Sequence, residues 1–169
     1  MPFVVVIAIA AAAIALYLHT KKDLLRRSAR CDSAWETLND QLERRNALVP
    51  RIAAGVSLES EKQQESLSYL MRMQAAVATA TTPEARMSSS AELTSVLNTI
   101  ITSLELTPQL KEELEDVDTK ITYARATYNE CVHDYNEALS NFPGKLVARS
   151  GFQARPSFDA VGDTARLQL

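Results

Sequence analysis

The chain has 169 residues, 46% of them hydrophobic, with 21 acidic against 18 basic side chains and a net charge of −3 at pH 7. That balance argues against a nucleic-acid partner, and a count of only two cysteines suits a reducing compartment and excludes a disulfide framework. Four glycines in the whole chain, and long stretches of Ala, Leu, Glu, Gln, Arg and Met, predict an all-α protein.

The first eighteen residues carry no charge and end at His19-Thr20-Lys21-Lys22. At about 1.5 Å per residue, residues 1–20 match the roughly 30 Å of a hydrocarbon core, so they are predicted to form a single transmembrane helix. Phe3, Val4, Ile7, Ile9, Ile14 and Leu16 are the anchor side chains. A cleaved signal peptide fits less well: no basic residue precedes the run, and no small-x-small site precedes the charges. Ala8, Ala12, Ala11 and Ala15 offer close-packing positions between copies.

Lys21, Lys22, Arg26, Arg27 and Arg30 follow the run against a single Asp23, which gives residues 21–30 a net +4 and leaves the rest of the chain at −7. The positive-inside rule puts the N-terminus outside and the bulk of the chain in the cytoplasm. The five cations are read as a stop-transfer charge cluster or as a collar for lipid headgroups, each then contributing about 1 kcal/mol near an anionic surface. The acidic body below the collar is expected to stand away from that surface.

Four long helices are expected over residues 21–142, in an antiparallel up-down bundle. Segment one, Lys21 to about Ala47, continues the membrane helix and carries a stripe of Leu24, Cys31, Trp35, Leu38, Leu42 and Val49. Pro50 is read as the start of segment two, which extends to about Thr79 through Ile52, Val56, Leu67, Leu70, Met73 and Val77. Thr82-Pro83-Glu84 and Thr107-Pro108 are helix starts with a capping hydroxyl before Pro at the first position. Segment three therefore covers about Pro83 to Glu105, facing inward through Leu93, Leu97, Ile100 and Leu104. Segment four covers Pro108 to about Ser140, with Leu110, Leu114, Val117, Ile121, Ala124, Tyr128, Cys131, Tyr135 and Ala138 forming a heptad seam. Phe142-Pro143-Gly144 ends it. Residues 143–169 form an irregular tail whose first half docks on the bundle or on a neighbouring copy, with Phe152 and Phe158 as contacts and residues from about Ala160 mobile.

No catalytic, cofactor or metal site is expected. His19 and His133 lack companion ligands, and no phosphate loop, nucleophile elbow or C-x-x-C pair exists. The acids from Glu112 to Asp118 point round several faces of one helix and read as a solvated surface. Arg45 interrupts an apolar stripe, and Asp118, Arg125, Asn129 and Asn136 flank the seam of segment four. An inward guanidinium requires partners, so these five residues are assigned to a polar layer that fixes register, or to an interface. In an up-down bundle Cys31 and Cys131 fall at one height and read as small buried hydrophobes, with a redox pair as the alternative.

Ala34-Trp35, Gln41-Leu42, Arg44-Arg45 and Leu48-Val49-Pro50 after a membrane helix resemble the signature of the LemA family. Ile121, Ala124-Arg125, Tyr128-Asn129, Tyr135-Asn136, Phe142-Pro143, Leu146-Val147-Ala148, Gly151-Phe152 and Pro156 agree in order and spacing. The resemblance covers about residues 1–158. Arg51 departs from it, standing where the family usually has Asn; the segment from Thr107 to Leu114 looks shortened, and the tail after Asp159 looks extra. The resemblance implies a single-pass protein of the bacterial inner membrane with a cytoplasmic helical bundle, no established enzymatic activity, and relatives implicated in organising membranes. The expected function is a non-enzymatic homo-oligomeric scaffold. An adaptor that recruits a membrane protease or signalling protein is the alternative.

Overall fold

The computed structural model describes residues 2–55, 61–103, 107–149 and 151–159. Among the described residues are five helices: α1 (Pro2–Ala54), α2 (Glu61–Thr79), α3 (Pro83–Ser103), α4 (Pro108–Ser140) and the short α5 (Gly144–Ala148). No strand occurs among the described residues. Leu104 and Val56, expected to face inward, and the tail from Ala160 lie outside the described residues, as does the side chain of Ile100.

One 53-residue helix, about 80 Å long at the standard rise, carries both the apolar run and the first bundle segment. With the apolar end taken as proximal, α4 returns antiparallel to α1: Arg51 meets Glu113, Arg45 meets Asp118, Cys31 meets Cys131 and Arg27 meets Asp134. Between them, α3 runs in the direction of α1, since Arg86 reaches Asn39 and Glu43 while Ser90 and Thr94 reach Arg45. The order is up-down-up-down, as the short connections predict. Because α2 and α3 are short, four helices coexist only in the distal half. Proximally, α1 and α4 are covered by α5 and the returning tail.

Two apolar clusters result. The proximal one joins Leu24, Cys31, Leu38 and Leu42 of α1 to Ile121, Tyr128, Val132, Tyr135 and Leu139 of α4, and is completed by Met87, Val147 and Phe158. The distal one joins Leu48, Val49 and Ile52 to Leu70, Val77, Leu93, Leu97, Leu110 and Leu114.

Pro50 does not start a helix. It sits inside α1, which continues one turn to Ala54 and is closed by Gly55 N–H donating to the Arg51 carbonyl at 3.1 Å. Proline in a helix removes one hydrogen bond and crowds the preceding turn. Here Val49 and Ile52, both 0% exposed, hold that extra turn in the distal cluster. The Thr82 hydroxyl caps α3 by accepting from Ala85 N–H at 3.2 Å. Thr107 precedes Pro108 as expected but forms no side-chain cap.

The seam of α4 is buried at Leu110, Leu114, Ile121, Ala124, Tyr128, Cys131 and Tyr135, with Val117 and Ala138 partly covered; Val132 and Leu139 add to it. Beyond Ser140 the chain turns sharply. A Cβ at Gly144 would lie 1.9 Å from the Ala138 carbonyl oxygen, so only glycine allows α5 to approach α4 this closely. Gly151, at φ 109°, makes the next turn, from which residues 152–159 run back along α4.

Candidate functional site

The proximal end carries the strongest chemical polarity. Phe3 (80% exposed), Val4, Ile7, Ile9, Ile14 and Leu16 are large apolar side chains left exposed along α1. The most apolar 18-residue stretch of α1 has a mean hydropathy of 2.3, long and apolar enough by length and composition to cross a membrane. Where the run ends, the Thr20 hydroxyl donates back to the Leu16 carbonyl at 2.8 Å, so the helix passes into the bundle with its polar groups satisfied. Four collar residues, Lys21, Lys22, Arg26 and Arg30, are exposed. Arg27 is not free in the same way: its Nε donates to Asp23 at 2.8 Å and its Nη1 reaches the Asp134 carbonyl at 3.5 Å, tying α1 to α4.

Arg45 lies between the two clusters, 3% exposed. Its Nη1 donates to Thr94 Oγ1 at 2.8 Å and to Asp118 Oδ1 at 3.4 Å, and its Nη2 donates to the Ser90 carbonyl at 3.1 Å and to Ser90 Oγ. Burial lowers its pKa, opposed by Asp118, so the site holds a desolvated cation with one carboxylate near it. Gln41 Oε1, Arg45 Nε and Asn46 Oδ1 are buried without a hydrogen-bond partner among the described residues. One polar layer thus separates two cores, and Ser90 and Thr94 of α3 complete it. Those two residues were not singled out in the sequence, although their spacing of four puts them on one helix face.

Arg125, Asn129 and Asn136 do not join that layer. They hold the tail. Asn136 Nδ2 donates to the Arg155 carbonyl at 2.8 Å while its Oδ1 accepts from Arg155 N–H at 2.9 Å. Asn129 repeats the pattern one heptad earlier, accepting from Phe158 N–H and donating to Asp159, each at 2.8 Å. Arg125 pairs with Asp159 at 3.2 Å and lies over the Phe158 ring. An extended tail has no ladder of its own, so its backbone groups bond to carboxamides projecting from α4. Tyr135 and Tyr128 hydroxyls donate to the carbonyls of Gln153 and Pro156. Burial pushes the Tyr128 phenol up to about 12. Arg155 crosses to α1, donating to Asp32 at 2.6 Å and to Ser28 at 2.8 Å. Phe152 packs against the proximal cluster, and Phe158 is 6% exposed within it. Both tail contacts are therefore made with the chain's own bundle.

Cys31 and Cys131 meet as free thiols, with Cys31 Sγ 3.1 Å from the Cys131 carbonyl oxygen. Desolvation raises the Cys31 pKa, which keeps it neutral and unreactive. A shallow groove of about 540 Å³ between α4 and the tail is lined by His133, Glu137 and Ser140 together with tail residues. His133 is exposed and 4.0 Å from Glu137. No group of three metal-ligating side chains occurs among the described residues. Arg51, the departure after Pro50, forms a two-pronged ion pair with Glu113 that links α1 to α4 and lowers the carboxyl pKa.

The family model described as the LemA family matches residues 34–168. The match starts inside α1, beyond the apolar run, and extends past Asp159, so the tail there belongs to the family's span and is not an addition. No curated protein matches the chain.

Proposed function

The chain belongs to the LemA family, and from that premise we propose that it is a non-enzymatic, membrane-anchored scaffold which self-associates to organise a region of a bacterial inner membrane. The observation that carries this reading is the division of labour along α1. Residues 2–18 are exposed and apolar, whereas the same helix, without interruption, supplies Leu24, Leu38, Leu42, Val49 and Ile52 to both cores. Anchor and body are one rod, so a contact between anchors fixes the spacing and direction of the bodies they carry.

Self-association is assigned to the anchor, through the Ala8, Ala11, Ala12 and Ala15 face. Arg45 and the aromatic tail are spent inside the bundle and offer no second interface. The excess of Lys and Arg after the helix orients the body to the cytoplasm. No bound cofactor is invoked. The perturbed ionisable groups lie in packing contacts: Arg45 between cores, Cys31 and Tyr128 within one, and Glu43 held low by the Arg86 guanidinium and the Asn39 amide.

A membrane-protein adaptor is the second reading, favoured by Glu112, Glu115 and Asp116, which are exposed at the end of the rod farthest from the anchor. A fluorescent fusion after Leu169 separates the two. The scaffold reading expects patches in the membrane that persist when other membrane proteins are depleted and disperse when Ala8 and Ala12 are replaced by Ile. An even membrane signal would overturn it.

A further inference from the structure

At the proximal end the fold leaves an apolar tip uncovered. Phe142 is 74% and Leu146 61% exposed, although Gly144 and Val147 beside them are buried. The close approach of Gly144 to Ala138 pins one face of α5 and holds Lys145, Leu146 and Arg149 outward. The helix register fixes the level of this tip. Arg27 meets the carbonyl of Asp134, and the six residues from there to Ser140 run about 9 Å toward the N-terminal end at the helical rise. The end of α4 is therefore level with Lys21, immediately after the apolar run, and α5 packs on α1 as well as on α4.

We propose that the corner between α4 and α5 is a second membrane contact: Phe142 and Leu146 enter the interfacial zone of the bilayer that holds α1, and Lys145 and Arg149, with Lys21 and Lys22, bind anionic lipid headgroups. This rests on α1 being the anchor and deepens that reading. An exposed aromatic and an exposed aliphatic side chain, with Lys145 and Arg149 exposed beside them in the chain and Lys21 and Lys22 exposed at the same level of α1, is the composition that suits a headgroup boundary. A second copy is the poorer occupant, because a symmetric contact brings Lys145 and Arg149 of both chains together. The acidic body expected from the sequence to stand off the surface does so only distally, where Glu112, Glu113, Glu115 and Asp116 lie. Two attachment points turn a freely rotating anchor into a rod of fixed tilt and rotation, which an ordered lateral assembly requires.

The test uses the full chain in vesicles containing anionic lipid brominated high on its acyl chains, with Trp35 replaced by Phe. Single tryptophans report at Phe142→Trp, at Tyr17→Trp in the anchor and at Tyr123→Trp, which is 72% exposed midway along α4. The Phe142→Trp emission should be lost to bromine as fully as that of Tyr17→Trp, and K145E/R149E should restore part of it. If Phe142→Trp is quenched as little as Tyr123→Trp while Tyr17→Trp is quenched, the tip proposal fails and the anchor stands. If neither is quenched, the anchor reading fails and takes the tip with it. A blue shift at Phe142→Trp without bromine quenching assigns the tip to protein and overturns the lipid contact. A nitroxide at Leu146→Cys, in a chain whose own thiols are buried, gives the same depth without altering Trp35; greater access to aqueous nickel than to oxygen would refute the proposal.

Discussion

Replacing Asp118 by Asn is expected to destabilise the bundle more than replacing Arg45 by Met. The Arg45 guanidinium is buried between the two cores, and Asp118 is the carboxylate that pairs with it, at 3.4 Å. At an effective dielectric of about 20, that separation corresponds to a gross attraction of about 5 kcal/mol. The Asp118 side chain is 42% exposed, so solvent screens the pair, and a net loss of about 2 kcal/mol is expected for D118N. The variant leaves a desolvated cation with neutral partners only. R45M removes the cation instead. Asp118 then rehydrates, Thr94 keeps its 2.8 Å bond to the Ser90 carbonyl, and the Met side chain fills most of the vacated volume, for a cost of about 1 kcal/mol or less. The double variant should match R45M, because the charge that Asp118 compensates is gone. Urea titration of the full chain in detergent micelles measures all three. Trp35 is the natural reporter, being the single tryptophan and packed against Tyr128 at 5.7 Å between ring centroids. R45M more destabilising than D118N would refute the reasoning and mean that the layer's hydrogen bonds outweigh its uncompensated charge.

Gly144→Ala should displace α5, since its Cβ meets backbone at 1.9 Å; a loss of about 3 kcal/mol is expected, with faster amide exchange across 144–149. Phe158→Ala should cost about 3 kcal/mol and expose the tail to protease, with particle mass unchanged because its contacts are intramolecular; a smaller particle would restore the tail to the interface. Alkaline pH should destabilise the fold. The Tyr128 phenol, raised to about 12 in the folded state, binds its proton more tightly there than unfolded, so stability present below about pH 10 is lost as pH rises toward 12, by up to about 2 kcal/mol. Tyr128→Phe should flatten that part of the profile, and an unchanged slope would contradict the assignment. Thiol reagents should leave Cys31 unmodified until the protein is unfolded; rapid labelling of the native chain would show that the proximal core opens.

The seam of α4 was legible because its three-and-four spacing persists over the whole helix, and a persistent period reports a buried face whatever packs on it. Pro50 misled because the rule that places proline at a helix start is local, whereas the burial of Val49 and Ile52 depends on α2, α3 and α4 together. Arg45 was legible as a polar residue within an apolar stripe, and Asp118 as its flank on α4. Its other partners, Ser90 and Thr94, were hidden in a serine-rich stretch with little amphipathic contrast. Asn129 and Asn136 were visible as a pair seven residues apart, yet their role depends on an extended tail with no pattern of its own. The signal that could have found it is chemical: carboxamides both donate and accept, which a returning backbone needs and a neighbouring helix does not.

The mass and shape of the full-length protein, extracted with its surrounding lipid and examined by light scattering and particle imaging, test the scaffold most directly. Self-association through the anchor should give a large particle made of this chain alone, its rods aligned with their apolar ends together. A monomer, or a particle dominated by a different protein, would contradict self-association and give the acidic distal end the leading role.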